Sequence, residues 1–456
     1  MCTRTTPART AHAPARQLGV IKKTVTLKQY LDASYKKVWT AGKLNPDFGL
    51  KTHVPFSIYL RAMPGTDHIY AGNSFEINGT VHRFDEEECF SASLMKVAAM
   101  FSAFKLRQEA ETLRAEINDP NKKLTVPLAK FFDELTKRVK PIGVAPEITS
   151  TANIQTQPSI PDILQITSLT SEVTFTDDFR GHLRRMIIPS NDCAAAECIW
   201  RLSYPYINVK LMEAGFYDKD SRKGIWLAGD YFFPGCLKRP EGIKKARGQD
   251  YARITVINDC DQSKRPPFCG SAQNTTSKQM AGFFLKILLE DLVDPKSSHE
   301  MLLLLNEAQH GPDSSFLVKN RITNTTPTGS NRATGGVLRK FSIEGVKIGQ
   351  GPIKTDPERG VIDVRSEGLI IKWKQITKDE EKDKEKDKGT GADNDEGAVD
   401  DKFDKDLRQK FDDCKLTGEA AICWQNLSAS TPNTDGIIEI INDTISNFIN
   451  QAPLTP

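Results

Sequence analysis

The sequence predicts an α+β fold, an antiparallel sheet flanked by N- and C-terminal helices with an all-α domain inserted between its strands. Three observations carry this. Strand-like segments cluster near both ends of the chain. The middle is dominated by apolar helical runs. An amphipathic helix stands at each end, and strands at the ends with helices between imply one sheet split by an insertion.

Each element has a local reason. Between Thr26 and Gly42, the residues Leu27, Tyr30, Leu31, Tyr35, Val38 and Trp39 recur at helical spacing, with a threonine at the start and a glycine at the end. Phe56 to Ala62 and His68 to Ala71 read as two strands joined by the turn Pro64-Gly65-Thr66-Asp67. A long helix starts near Ser93 and is apolar on most sides through Phe104, which marks it as buried. Further helices are expected near Leu128 to Val139, from Lys278 to Leu292 and from about Ser297 to Ala308, with a short helix or connector from Phe179 to Ile188. Residues 203–270 show no period and read as long loops. Gly329 to Leu338 is a glycine-rich entry to strands, and Gly368 to Trp373 and Ala420 to Trp424 are two more strands. A helix from Gly436 to Asn450 closes the chain.

The expected domains are a disordered leader (1–20), a sheet domain (21–90 plus 320–456) and a helical domain with loop insertions (91–319). Residues 378–406 begin with an unbroken run of charge and read as a disordered insertion within the sheet domain. Asp393, Asp395 and Gly397 sit there without the glycine position or terminal glutamate of a calcium loop.

Composition excludes several classes. A net charge of +3 over 456 residues is no nucleic-acid footprint. No apolar run approaches 18 residues, so no membrane span is expected. The nine cysteines include no Cys-x-x-Cys, and no histidine pair stands at ligand spacing, so neither metal nor cofactor is expected. Bridges among Cys236, Cys260 and Cys269, or between Cys414 and Cys423, are open alternatives.

Chemistry concentrates at Ser93 and Lys96. Three positions apart on a helix, the two side chains share a face. A desolvated lysine can shed its charge and accept a serine proton, while a helix start favours negative charge beside it. Alone, the pair is also an ordinary helix start. Ser190-Asn191-Asp192 is a second polar cluster and equally a helix cap. Asp192 is a cap carboxylate or a partner of Lys96 that would keep that amine charged. Thr334-Gly335-Gly336 is a third cluster, or a plain strand entry; it is no phosphate loop, since no Gly-Lys-Ser/Thr follows.

Taken in order, Ser93-Leu94-Met95-Lys96, Ser190-Asn191-Asp192 and Ala333-Thr334-Gly335-Gly336 resemble the three motifs of the serine β-lactamases and penicillin-recognising D-alanyl-D-alanine peptidases. Asn274 to Ala281 and His299 to Asn306 resemble helices of the same family. The resemblance implies a β-lactamase/transpeptidase-like fold and a serine hydrolase forming an acyl-enzyme with an amide or β-lactam-type substrate. It implies that Ser93 attacks, that Lys96 takes or relays the proton, and that Ser190 passes a proton to the leaving amine. The N–H groups of Ser93 and Gly336 would hold the oxyanion, with Thr334, Gly335 and Asp192 lining the site. The departures are Asp192 where the family has asparagine and Ala333 where it has lysine. A Glu-x-x-x-Asn is also missing from the segment before Thr275. The family further implies a periplasmic or secreted protein, although residues 1–20 have no apolar signal core. The alternatives are a catalytically inactive binding or scaffold protein, or an esterase or amidase of another substrate.

Overall fold

The computed structural model describes residues 25–44, 54–62, 66–77, 79–122, 124–139, 157–218, 223–227, 274–309, 339–356, 360–375, 418–428 and 434–450. The leader and the charged insertion lie outside these residues.

Five strands form one antiparallel sheet: β1 (Phe56–Arg61), β2 (Ile69–Gly72), β3 (Arg339–Asp356), β4 (Gly360–Gln375) and β5 (Gly418–Ser428), in the order β3-β4-β5-β1-β2. The two ends of the chain meet in its centre, where Phe56 opposes Trp424 and Leu60 opposes Ala420. Both faces are covered, and the side-chain alternation of a strand sorts residues between them. Phe56, Ile58 and Leu60 of β1, Leu369, Ile371 and Trp373 of β4, and Ala420, Ile422 and Trp424 of β5 pack under helices α1 (Val25–Thr40) and α9 (Thr434–Asn450). Tyr59, Ile370, Ala421 and Cys423 point into a second core built by the intervening helices.

Those helices are α2 (Lys96–Ile117), α3 (Phe131–Arg138), α4 (Asp177–Ile187), α5 (Asp192–Leu202), α6 (Tyr204–Glu213), α7 (Ser277–Leu288) and α8 (Pro295–Ala308). Helix α2 runs through the middle of this core, with Val97, Ala98, Met100, Phe101 and Phe104 all buried. The terminal helices lie on one face of the sheet, as expected. At the end of α1, Gly42 takes φ of +67° while Lys43 N–H donates to the Val38 carbonyl, the left-handed stop that favours glycine.

Two expectations are corrected, and one strand runs further than its sequence signal. Residues 203–270 are not all loop, because Tyr204–Glu213 is helical. Ser203 caps it by accepting the Tyr206 N–H, and Pro205 fits its first turn; the aromatic and β-branched content had hidden the period. Strand β3 reaches far beyond the glycine-rich entry. Its Gly345, Gly349, Gly351 and Pro352 break every strand signal a sequence offers. Cys423 is a free thiol in the core, so it does not bridge to Cys414. Cys193, by contrast, is disulfide-bonded.

Glu367 of β4 lies opposite Ile348 and is 2% exposed, with no hydrogen-bond partner for its Oε1 among the described residues. Desolvation raises its carboxyl to about 8, against the opposing pull of Arg365. An unfolded glutamate titrates near 4.5, so between these values the folded chain holds the extra proton. Stability from this group is therefore complete below about pH 4.5 and is lost as pH rises through about 8. Glu367→Gln should raise unfolding stability at pH 8 by on the order of a few kcal/mol and flatten its pH dependence. Urea denaturation between pH 5 and pH 9 reads this, and an unchanged slope in the variant would contradict it.

Candidate active site

Ser93 occupies a single 3-10 turn, Ala92–Met95, that leads into α2. The preceding Cys89–Phe90 pairs with Asn274–Thr275, which anchors the turn to the start of α7. A buried polar web supports the anchor. The Tyr70 hydroxyl donates to Asp85, and the Ser57 and Ser277 hydroxyls lie 2.8 Å apart. Ala92, next to the serine, has φ of +45°. An alanine there is strained, and such strain persists only where surrounding contacts over-determine the backbone.

Lys96 begins α2 with none of its side chain exposed. Its Nζ donates to Asp192 Oδ1 at 2.6 Å, to Ser190 Oγ at 3.2 Å and to the Ser190 carbonyl. Ser190 itself sits at φ +56° just before α5, a left-handed conformation that turns both its oxygens towards Lys96. Asn191 caps α5, its Oδ1 accepting the Ala194 N–H at 2.8 Å. The cap and the candidate site thus coexist, on neighbouring residues.

A second amine arrives from β3. Lys347 Nζ lies 2.6 Å from Ser190 Oγ, and the residue is 2% exposed. Lys347, Gly349 and Gly351 share one face of the strand. A Cβ on Gly349 would fall 2.6 Å from the Leu94 N and closer still to the Ser91 carbonyl. One on Gly351 would meet the Ala92 Cβ at 3.2 Å. Glycine is what lets the strand lie against the serine turn and carry Lys347 to Ser190.

The structure therefore brings Lys96, Ser190 and Asp192 together beside the Ser93 turn. Thr334, Gly335 and Gly336 lie outside the described residues. The third motif read at Ala333 lies outside the described residues, and Lys347 brings to Ser190 a lysine amine that the sequence reading did not include. The signal was present as Lys347-Ile348-Gly349, which keeps the lysine and glycine of a Lys-Thr-Gly motif, but isoleucine stands in the middle.

Electrostatically the floor of the site is two dry amines. Burial holds both below the ordinary lysine range. For Lys96 the charge and hydrogen bond of Asp192 oppose that fall. For Lys347, which is driven well below it, the charge of Lys96 adds to burial and Asp192 opposes only at a distance. Ser93, Ser190 and Asp192 are each partly exposed, unlike the two amines.

No protein-family model and no curated protein matches the chain. Three beta-lactamases are among the solved structures it resembles. A class A beta-lactamase from Bacteroides cellulosilyticus aligns over 94% of this chain and 100% of its own, at 10% identity and a TM-score of 0.39. One from Chitinophaga pinensis aligns over 92% and 99%, at 10% identity and 0.37. TLA-3 extended-spectrum beta-lactamase aligns over 93% and 100%, at 9% identity and 0.39. A likeness at this level is one of outline and assigns neither family nor activity.

The seating of β3 makes a prediction of its own. Gly349→Ala should push the strand off the turn and cost about 1–3 kcal/mol, the range for overpacking. Thermal unfolding measures the cost. In the folded variant, lysine-specific acylation should reach Lys347 faster than in the parent, and equal protection in both would refute the seating role.

Proposed function

We propose that the chain is a serine acyl hydrolase of the β-lactamase-like kind, in which Ser93 attacks the carbonyl of an amide or β-lactam-type substrate. The observation that carries this is the meeting of two buried lysine amines from separate elements on one serine hydroxyl, beside a second serine at a helix start.

The charges assign the roles. Two ammonium groups sharing a hydroxyl in a dry pocket repel each other, so one gives up its proton. Lys96 has a carboxylate at 2.6 Å and keeps its charge. Among the described residues Lys347 Nζ is hydrogen-bonded to the Ser190 hydroxyl alone, at 2.6 Å, and as the neutral amine of the pair it takes the acceptor role towards that hydroxyl. As Ser93 Oγ bonds to the acyl carbon, its proton passes into this Lys96–Ser190–Lys347 chain. The carbonyl π pair moves to oxygen, where the Ser93 N–H and the positive helix start favour it. Collapse of the intermediate expels the leaving amine, and Ser190 protonates it while drawing a proton back from the Lys347 ammonium. The product is an acyl-enzyme ester at Ser93. The sequence offers no Glu-x-x-x-Asn to activate a water, so acylation is fast relative to release, as in a penicillin-binding protein.

Incubation with a fluorescent penicillin and with a fluorophosphonate, read by intact mass and peptide mapping, should place one adduct on Ser93 and none on Ser93→Ala. Absence of both adducts from the folded protein would overturn the reading. Lys347→Arg should slow acylation by about 10²–10⁴-fold, because arginine keeps its proton. In the parent, acylation should rise with pH as Lys347 loses its proton, with the midpoint well below 10.5. A midpoint at the ordinary lysine value would remove Lys347 from the relay.

A further inference from the structure

We propose that Asp192 is a specificity residue that receives a protonated amine of the substrate, so that the site selects acyl compounds carrying a free amino group beside the scissile carbonyl. This rests on the serine hydrolase reading for its chemistry, but its binding half stands apart.

The argument begins with what Asp192 does not need to do. It is the first residue of α5, where a carboxylate is a common cap, yet Asn191 already fills that role. Its Oδ1 takes the Lys96 ammonium at 2.6 Å, and no described residue donates to its Oδ2. The side chain is 37% exposed, against none for Lys96 beneath it. One oxygen of the ion pair is thus held by a buried ammonium, while the carboxylate as a whole stays partly exposed.

An ionised carboxylate has acceptors and no donor. It cannot hydrogen-bond a substrate carbonyl, and it repels a substrate carboxylate. A group bearing N–H satisfies it, and an ammonium does so best, because the bond is then charge-assisted. The charge sum agrees. Lys96 and Asp192 cancel, and burial beside Lys96 disfavours charge on Lys347, so an incoming cation is opposed least at Asp192. Asp192 is hydrogen-bonded to Lys96, three residues on from Ser93 at the start of α2, and an α-amino group lies two bonds from the carbonyl carbon of an aminoacyl amide. Substrates of this class are aminoacyl amides and peptides with a free N-terminus.

Two measurements test this. Ser93→Ala binds without turnover, so isothermal titration compares alaninamide with N-acetylalaninamide, in both enantiomers. The free amine should bind at least about tenfold tighter, the scale of one charge-assisted bond. The preference should vanish in Ser93→Ala/Asp192→Asn, and it should fade as pH passes the amine pKa of about 8. Equal binding of the two amides by Ser93→Ala overturns the proposal. So does a preference that survives Asp192→Asn, or one indifferent to pH. With Ser93 intact, alanine p-nitroanilide and its N-acetyl form should differ in KM more than in kcat. Fluorophosphonate adducts on Ser93 without an amine preference would sink the amine subsite and leave the hydrolase. An amine preference in titration without any adduct would do the reverse.

Discussion

Removing a lysine from water costs several kcal/mol unless a partner or the loss of its proton repays it. The site contains two such lysines, and each is repaid differently. Lys96 has Asp192. Lys347 has a hydroxyl, and burial pushes its amine well below the ordinary lysine range. Neither solution works alone. If Asp192 were absent, the amines would compete for one proton, and Lys96 would lose the reason to remain an ammonium. If Lys347 were absent, the Ser190 hydroxyl would face a single cation and have no base to donate to. The asymmetry between the amines follows from one carboxylate lying against one of them, and every catalytic role assigned above depends on it.

That arrangement is held by unfavourable backbone. Ala92 and Ser190 are both left-handed without being glycine, and they flank the chemistry on two separate segments. What compels them is close packing. Strand β3 presses glycine backbone onto the Ser91–Leu94 turn, and the Leu94 N–H donates to the Ser91 carbonyl at 3.0 Å. Ser190 is pulled by the Lys96 ammonium at both its oxygens. Costs of about 1–3 kcal/mol per strained residue are modest beside the burial of α2, whose apolar residues fix the turn in place.

The sequence revealed those parts of the site that obey local rules. Ser93 and Lys96 share a helix start, and a Ser-Asn-Asp run before an apolar helix is visible as a cap whatever else it does. The terminal helices show through their period, and β1, β2, β5 and the Gly368–Trp373 part of β4 show as short strand-like runs. Lys347 did not, and the reason is physical. A strand that must lie flat against another backbone needs glycine at alternate positions, and glycine is what strand propensity penalises. The close approach that delivers the lysine therefore erases the signal of the strand bearing it. Ala333-Thr334-Gly335-Gly336 looked more like a motif because its threonine and glycines were in order. Helix α6 carries a weak signal for a lesser reason, a short run whose aromatic and β-branched residues blur its period.

The groups that converge here are far apart along the chain. Lys96 and Ser190 are separated by 94 positions and Ser190 and Lys347 by 157. No local fragment can assemble them. Strand β3 is at the sheet edge and reaches its place only through β4 and β5, and β5 is held by β1 from the other end of the chain. The helical core can bury α2 without β3, but the packing of glycine backbone on the serine turn and the second amine both come only with closure of the sheet. Non-local pairing of this kind is slow, because loop entropy is lost before contacts reward it. A chain with its helices packed and its sheet still open would hold Lys96 and Asp192 as a plain ion pair, with no neutral base against Ser190. The meeting of Lys96 and Lys347 at Ser190 is thus tied to completion of the sheet, because the strand that carries Lys347 is seated through β4 and β5.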